Sequence, residues 1–245
     1  MAVTVTSKVP AGIESLELEV KGRRTHYLKA GSGPPVVLLH GGASDSRDWL
    51  RTMTALSHHF TFYAPDLIGF GQNDRDEAGY YLADFIESIE EFITALGLDN
   101  PDIAGHSFGG RVGTGLAIRG RVKVRKLVLI DTAGLGKVTA FGTLLMTFFW
   151  ALRRLFRKPQ PYPRFLTKEG EDTSWLCVNE LTTIKKPMLL VWKQYDPYFP
   201  VSLARRAEKV IPGVRLEVIP GFGHAPNKQD NEAFNRLLLD FLGRD

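Results

Sequence analysis

Three short stretches of the chain are apolar almost without interruption: residues 36–39 (VVLL), 126–130 (KLVLI) and 188–192 (MLLVW). A strand with one face in water alternates apolar and polar side chains; a strand covered on both faces does not. These stretches therefore predict a sheet buried on both sides, as parallel sheets are. The covering layers are legible too. Within residues 82–96, Leu82, Phe85, Ile86, Ile89, Phe92, Ile93 and Leu96 fall three and four apart, which is one helical face, and Gly97 is placed to end it. Further helices are predicted at 107–119, 203–210 and 231–242, and further strands at 61–64, 102–104 and 216–219. Strands alternating with helices define an α/β fold, a mostly parallel twisted sheet flanked by helices. Residues 16–20 and 25–28 read as a hairpin turning at Lys21-Gly22, which adds antiparallel pairing at one edge.

Residues 132–184 break this rhythm. They hold an apolar stretch, a basic stretch and then the proline-rich PQPYP. The chain divides into a first core part (1–132), a short helical cap inserted between core strands (133–184) and a second core part (185–245), together one domain.

Composition narrows the classes. With 44% hydrophobic and 24% charged residues, the chain is globular rather than disordered or fibrous. The net charge of +4 is spread among interspersed acids, so a solvated surface is expected and no nucleic-acid partner. The single cysteine, Cys177, forms no internal disulfide, so nothing points to an oxidising compartment. No secretory signal is read, and no apolar run approaches the roughly 20 residues of a spanning helix. The expectation is a cytoplasmic protein with no stable membrane insertion.

Gly105-His106-Ser107-Phe108-Gly109 matches G-x-S-x-G. Such a turn, between a strand and a helix, holds a serine in strained backbone with its hydroxyl exposed, and the glycines let neighbouring chains approach. The pattern alone is weak; its place between a short apolar strand and a predicted helix strengthens it. A serine needs a base to become a nucleophile. Of the six histidines, only His224 follows Ser107, and it lies in GFGHAP just after the last strand. A carboxylate must then orient the imidazole. Asp196, directly after the strand 188–192, is the best placed. Asp131, at the end of strand 126–130, is the reserve, and Asp172 lies inside the insertion. Acyl transfer also needs amide donors aimed at the developing oxyanion. Phe108 N–H should be one. Gly42, in His40-Gly41-Gly42 after strand 36–39, is the other choice, with its neighbour Ala43 as the competing one. His40 is read as a support for that loop.

No metal or cofactor site emerges. There is no H-E-x-x-H, no paired cysteines and no G-x-G-x-x-G opening a helix after a strand. The adjacent His58 and His59 read as a polar helix end.

Taken together, residues 40–42 (HGG), 65–74 (PDLIGFGQND), 105–110 (GHSFGG), 127–134 (LVLIDTAG), 191–200 (VWKQYDPYFP) and 221–226 (GFGHAP) resemble the α/β-hydrolase superfamily in order and spacing. The resemblance spans nearly all of the chain except the insertion, and is strongest to bacterial serine carboxylesterases with a cap between the sixth and seventh core strands. It implies a triad of Ser107, Asp196 and His224 beneath a cap. A serine at the nucleophile position argues against the haloalkane dehalogenases and epoxide hydrolases, which use aspartate. Two features depart from the pattern: Lys193-Gln194-Tyr195 replaces the usual glycine-rich lead into the acid turn, and the insertion is short.

Within the insertion, Leu144, Leu145, Phe148, Phe149, Leu152, Leu155 and Phe156 recur at helical spacing. One reading is a helix packed on the core. A second is an apolar pocket wall, and a third is a homodimer contact through the cap or a contact with a lipid surface. Ala43, His106, Leu145, Phe148 and Phe149 are the expected substrate-lining residues.

The resulting expectation is a cofactor-free serine carboxylesterase whose partner is a small or medium apolar ester, cleaved through an acyl-enzyme. A second expectation is carbon–carbon hydrolysis of vinylogous diketones on the same triad. Such enzymes usually carry a tryptophan after the base, where this chain has Ala225. Amide, lactone and perhydrolase chemistry use the same groups. The alternative of another class is a non-catalytic ligand-binding protein on this fold.

Overall fold

The computed structural model describes residues 4–5, 9–74, 80–155 and 178–244. Among them, nine strands form one sheet: β1 (Thr4–Val5), β2 (Ile13–Val20), β3 (Arg23–Ala30), β4 (Pro35–Leu39), β5 (Thr61–Pro65), β6 (Asp102–His106), β7 (Leu127–Ile130), β8 (Met188–Tyr195) and β9 (Val214–Phe222). Their spatial order is β1-β2-β3-β5-β4-β6-β7-β8-β9. The first three pair antiparallel, β3 pairs antiparallel with β5, and every pair from β5 to β9 is parallel. The predicted α/β class and the edge hairpin are both present. Lys21 (φ 48) and Gly22 (φ 76) are left-handed at the hairpin turn, which matches the right-handed twist of its strands.

The apolar stretches have a simple cause. In β4, Val37 and Leu39 enter the core on one face, while Val36 and Leu38 enter the core on the other. The same division splits β7 into Leu127 and Leu129 against Val128 and Ile130. Helices α2 (Leu82–Ala95), α3 (Phe108–Arg119) and α6 (Ser202–Val210) cover the first face, through residues such as Phe85, Val112 and Leu203. Helices α1 (Leu50–Leu56) and α7 (Asn231–Leu242) cover the second, through Met53, Phe234 and Leu238.

Some elements differ from the sequence reading. The hairpin strands, β8 and β9 run longer, because pairing carries them beyond their apolar centres. Residues 46–56 show no periodic face, yet form a 3-10 turn (Ser46–Trp49) and α1. Trp49, Met53 and Leu56 are their only large buried apolar side chains, too few to make a face. His58 and His59 are exposed in the turn after α1.

Strand β4 lies at the centre. The chain leaves it for β5 on one side and returns through α2 to β6 on the other. Such a reversal opens a crevice at the carboxyl ends of the two diverging strands. Leu39 and Gly105 are the last paired residues at that end of β4 and β6.

Between β7 and β8 run α4 (Ala140–Leu155) and α5 (Val178–Thr182). Phe156, Asp172 and Cys177 lie outside the described residues. Thr139 N–H donates to Tyr198 O at 2.9 Å, Thr139 Oγ1 donates to Pro197 O, and Gly142 N–H donates to Thr139 Oγ1 at 2.8 Å. The start of α4 is therefore tied to the loop that follows β8. Beyond it the helix presents Leu144, Phe148, Phe149, Leu152 and Leu155 as exposed side chains among the described residues. Leu145 and Met146 are half-buried, so a core-packed reading fits only this narrower part of the helix.

Candidate active site

Ser107 stands between β6 and α3 with φ 51 and ψ −114. A non-glycine residue in this region is strained and must be held there by its surroundings. Its N–H donates to Ile130 O at 2.8 Å, and its carbonyl accepts from Gly110, Arg111 and Ala133 N–H at 3.1, 3.2 and 3.1 Å. The flanking glycines serve close approach. A Cβ on Gly109 would stand 2.4 Å from Leu39 O and 2.5 Å from His40 O, and one on Gly105 would stand 2.5 Å from Gly109 O.

His224, in the loop after β9, brings Nε2 to 2.9 Å from Ser107 Oγ and Nδ1 to 2.7 Å from Asp196 Oδ2. In the tautomer these contacts require, Nδ1–H donates to the carboxylate and Nε2 accepts from the serine hydroxyl. The other oxygen of Asp196 accepts from Tyr198 N–H at 2.7 Å and Phe199 N–H at 3.2 Å. Trp192 Nε1–H anchors that turn on Phe199 O at 2.8 Å. Tyr198 and Phe199 also place their rings 4.7 and 5.7 Å from the imidazole.

The altered lead into the acid turn has a visible role. Lys193 is buried, and its Nζ donates to Pro220 O at 2.6 Å and pairs with Asp230 at 2.9 Å. The register between β8 and β9 is irregular at Lys193–Tyr195, and the Asp196 turn still forms.

On the other side of Ser107, a Cβ on Gly41 would lie 3.4 Å from Ser107 Cβ, and one on Gly42 would lie 3.8 Å from Phe108 Cβ. The loop after β4 thus lies directly against the serine and the residue that follows it, where Gly42 and Phe108 amides are expected to serve. Ala43 is left-handed, with φ 63. His40 supports this loop. Leu67 N–H donates to His40 Nε2 at 2.9 Å, so His40 Nδ1–H donates to Gly41 O at 2.8 Å. Burial holds its pKa below the usual value, opposed by that bond to Gly41.

A support beneath Leu67 was not read from the sequence. Asp66 accepts from Ser46 N–H at 2.7 Å and Gln72 N–H at 2.9 Å, and its Oδ2 lies 2.8 Å from His26 Nδ1. His26 Nε2 in turn lies 2.8 Å from Ser15 Oγ, and all three side chains are buried. Burial pushes the Asp66 carboxyl up, but the bonds from His26, Gln72 and Ser46 together outweigh it and hold the pKa at about 2. The signal was present in PDLIGFGQND, whose aspartate follows a buried strand without an assigned task.

His106, expected among the substrate-lining residues, is buried, and its Nε2–H donates to His224 O at 2.5 Å. Burial, then the proximity of His224, push its pKa well below the usual range, so it is neutral. Its ring secures the backbone of His224. Leu145 is half-buried; Phe148 and Phe149 are exposed, ring against ring at 5.6 Å.

Asp131 lies close to the bonded pair of Asp196 and His224. One oxygen of each aspartate and a ring nitrogen of His224 lie within 4.8 Å of one another, the described cluster able to hold a metal ion. Asp196 and His224 are already committed to each other.

A model of the alpha/beta hydrolase fold matches residues 34–167. The chain belongs to that family. This α/β hydrolase is 26% identical over 260 residues to the 2-hydroxy-6-oxo-2,4-heptadienoate hydrolase of Pseudomonas putida, covering 91% of this chain and 94% of that one. It is 25% identical over 268 residues to the carboxylesterase YbfK of Bacillus subtilis, covering 95% and 89%. Among solved structures it resembles a meta-cleavage product hydrolase of Pseudomonas fluorescens, with a TM-score of 0.78, 25% identity and coverage of 93% and 97%. No helix among the described residues is long and apolar enough to cross a membrane.

Proposed function

We propose that this α/β hydrolase is a serine carboxylesterase acting on small to medium apolar esters. The carrying observation is the continuous chain of contacts from Ser107 Oγ through His224 to Asp196 Oδ2, at 2.9 and 2.7 Å. Ser107 attacks the ester carbonyl as His224 Nε2 takes its proton, and Asp196 stabilises the imidazolium. Amides of Gly42 and Phe108 receive the oxyanion. His224 returns the proton to the leaving alcohol, then activates the water that releases the acid. The insertion, with α4 tied to the acid loop, acts as the cap, and Ala43, Leu145, Phe148 and Phe149 line the acyl side. The likeness to YbfK supports the ester reading.

A second reading is hydrolysis of a carbon–carbon bond in a vinylogous diketone, supported by the likeness to the Pseudomonas putida hydrolase. Ala225 after the base weighs against it. The test is a p-nitrophenyl ester series from acetate to palmitate, run beside Ser107→Ala and beside a 2-hydroxy-6-oxo-dienoate. Turnover of short or medium esters that vanishes in Ser107→Ala is the expected result. Cleavage of the dienoate alone would replace it with the second reading.

A further inference from the structure

Among the described residues, five that are not glycine have positive φ, and three of them stand at the carboxyl ends of neighbouring parallel strands: Ala43 after β4, Ser107 after β6 and Asp131 after β7. Strain of this kind concentrates where function requires it. Ser107 and the loop of Ala43 are already explained; Asp131 is not.

Asp131 is fully buried. Its Oδ1 accepts from Lys193 N–H at 2.8 Å, while Oδ2 has no hydrogen-bond partner among the described residues. The charged and titratable groups around it are Asp196, His224, Lys193 and Asp230.

The geometry points to Asp131 as a positioning residue of the Ser107 relay, a second carboxyl group able to partner His224 in place of Asp196. The inference rests on the serine-hydrolase reading above. Two neighbouring buried carboxyls do not both ionise readily. Asp196 has the imidazole and two amides as partners, whereas Asp131 has a single amide. Burial, then the charge of Asp196, drive the Asp131 pKa well above the usual carboxylate range, which favours its protonated form. Removing the Asp196 carboxylate removes that repulsion and opens space. Asp131 then ionises more readily, and its oxygen, already within 4.8 Å of a ring nitrogen, needs no more than roughly 2 Å of movement to reach hydrogen-bond distance.

The test compares wild type, Asp196→Ala and the double variant Asp131→Asn/Asp196→Ala. Asparagine keeps the acceptor that Lys193 N–H needs, so strand pairing survives. The expected result is that Asp196→Ala retains at least tenfold more kcat than the double variant. That residual activity should climb with pH through an ionisation the double variant lacks. Equal kcat in the two proteins at every pH overturns the inference, while absence of ester turnover by wild type overturns the esterase reading instead. A substrate-free readout covers that case and any failure of the double variant to fold. In Asp196→Ala alone, the low-field Nδ1 proton resonance of His224 should persist at high pH; its absence overturns the role of Asp131.

Discussion

His106 Nε2 lies 2.5 Å from the carbonyl oxygen of His224, so one buried neutral imidazole holds the backbone that carries the other. The second residue of the serine motif thereby fixes the position of the base 118 residues later.

Replacing His106 with alanine should lower kcat at least tenfold with little change in KM, because the error lies in the placement of His224. Glutamine, which keeps a donor, should recover part of it. A second consequence concerns pH. The unfolded imidazole titrates near 6.5, while the folded one sits well below, so the unfolded state binds the extra proton first. Wild type should therefore lose stability as pH falls below about 6.5, and His106→Gln should lose less over the same interval. Denaturant melts from pH 7.5 to 5 check the slope.

Asp66 acts in a different window. Its folded pKa of about 2, against 3.8 for the free group, corresponds to about 2 kcal/mol of stability at neutral pH. That contribution is present above pH 4 and disappears as pH falls through about 2. Asp66→Asn should lower the melting temperature at pH 7 and flatten the acid limb between pH 4 and 2. It should also reduce kcat, since Leu67 and His40 connect this site to the loop of Gly41 and Gly42.

Gly109→Ala should destabilise by about 1–3 kcal/mol, because its methyl group collides with the carbonyls of Leu39 and His40 and neither can retreat from the sheet end. Gly213→Ala, where φ is 72 but nothing lies within 4 Å, is the control for backbone strain without collision and should cost about 1 kcal/mol. Chemical denaturation of both variants separates the two terms.

Thr139→Val removes the hydroxyl that donates to Pro197 O and accepts from Gly142 N–H at the start of α4. The expected loss is about 1 kcal/mol of stability, as for a helix cap. If α4 is a cap over the site, KM for longer acyl chains should shift more than KM for acetate. A uniform effect along the ester series would assign Thr139 to folding alone.

The sequence shows the sheet clearly because β4, β7 and β8 are short runs apolar on both faces. Ser107, Asp196 and His224, which the structure brings into one line of contacts, could be singled out because each follows the end of a particular strand. Residues 46–56 were not, since their buried side chains contact the core one at a time. The supports were hidden for another reason. His106, Asp66, His26 and Lys193 act through hydrogen bonds to groups distant in the sequence, and such bonds leave no periodic trace. Asp131 was visible as a competing acid, but its closeness to Asp196 depends on β7 and β8 being neighbours in register, from Leu127 against Met188 to Ile130 against Val191.

Ser15, His26 and Asp66 repeat the bonding order of Ser107, His224 and Asp196, sealed inside the protein. Side-chain geometry alone would count two such centres among the described residues. A fluorophosphonate offered to the folded protein should mark Ser107 and not Ser15, because Ser15 is fully buried. The buried copy is thus a natural decoy, and it measures how little of a hydrolase is contained in three side chains alone.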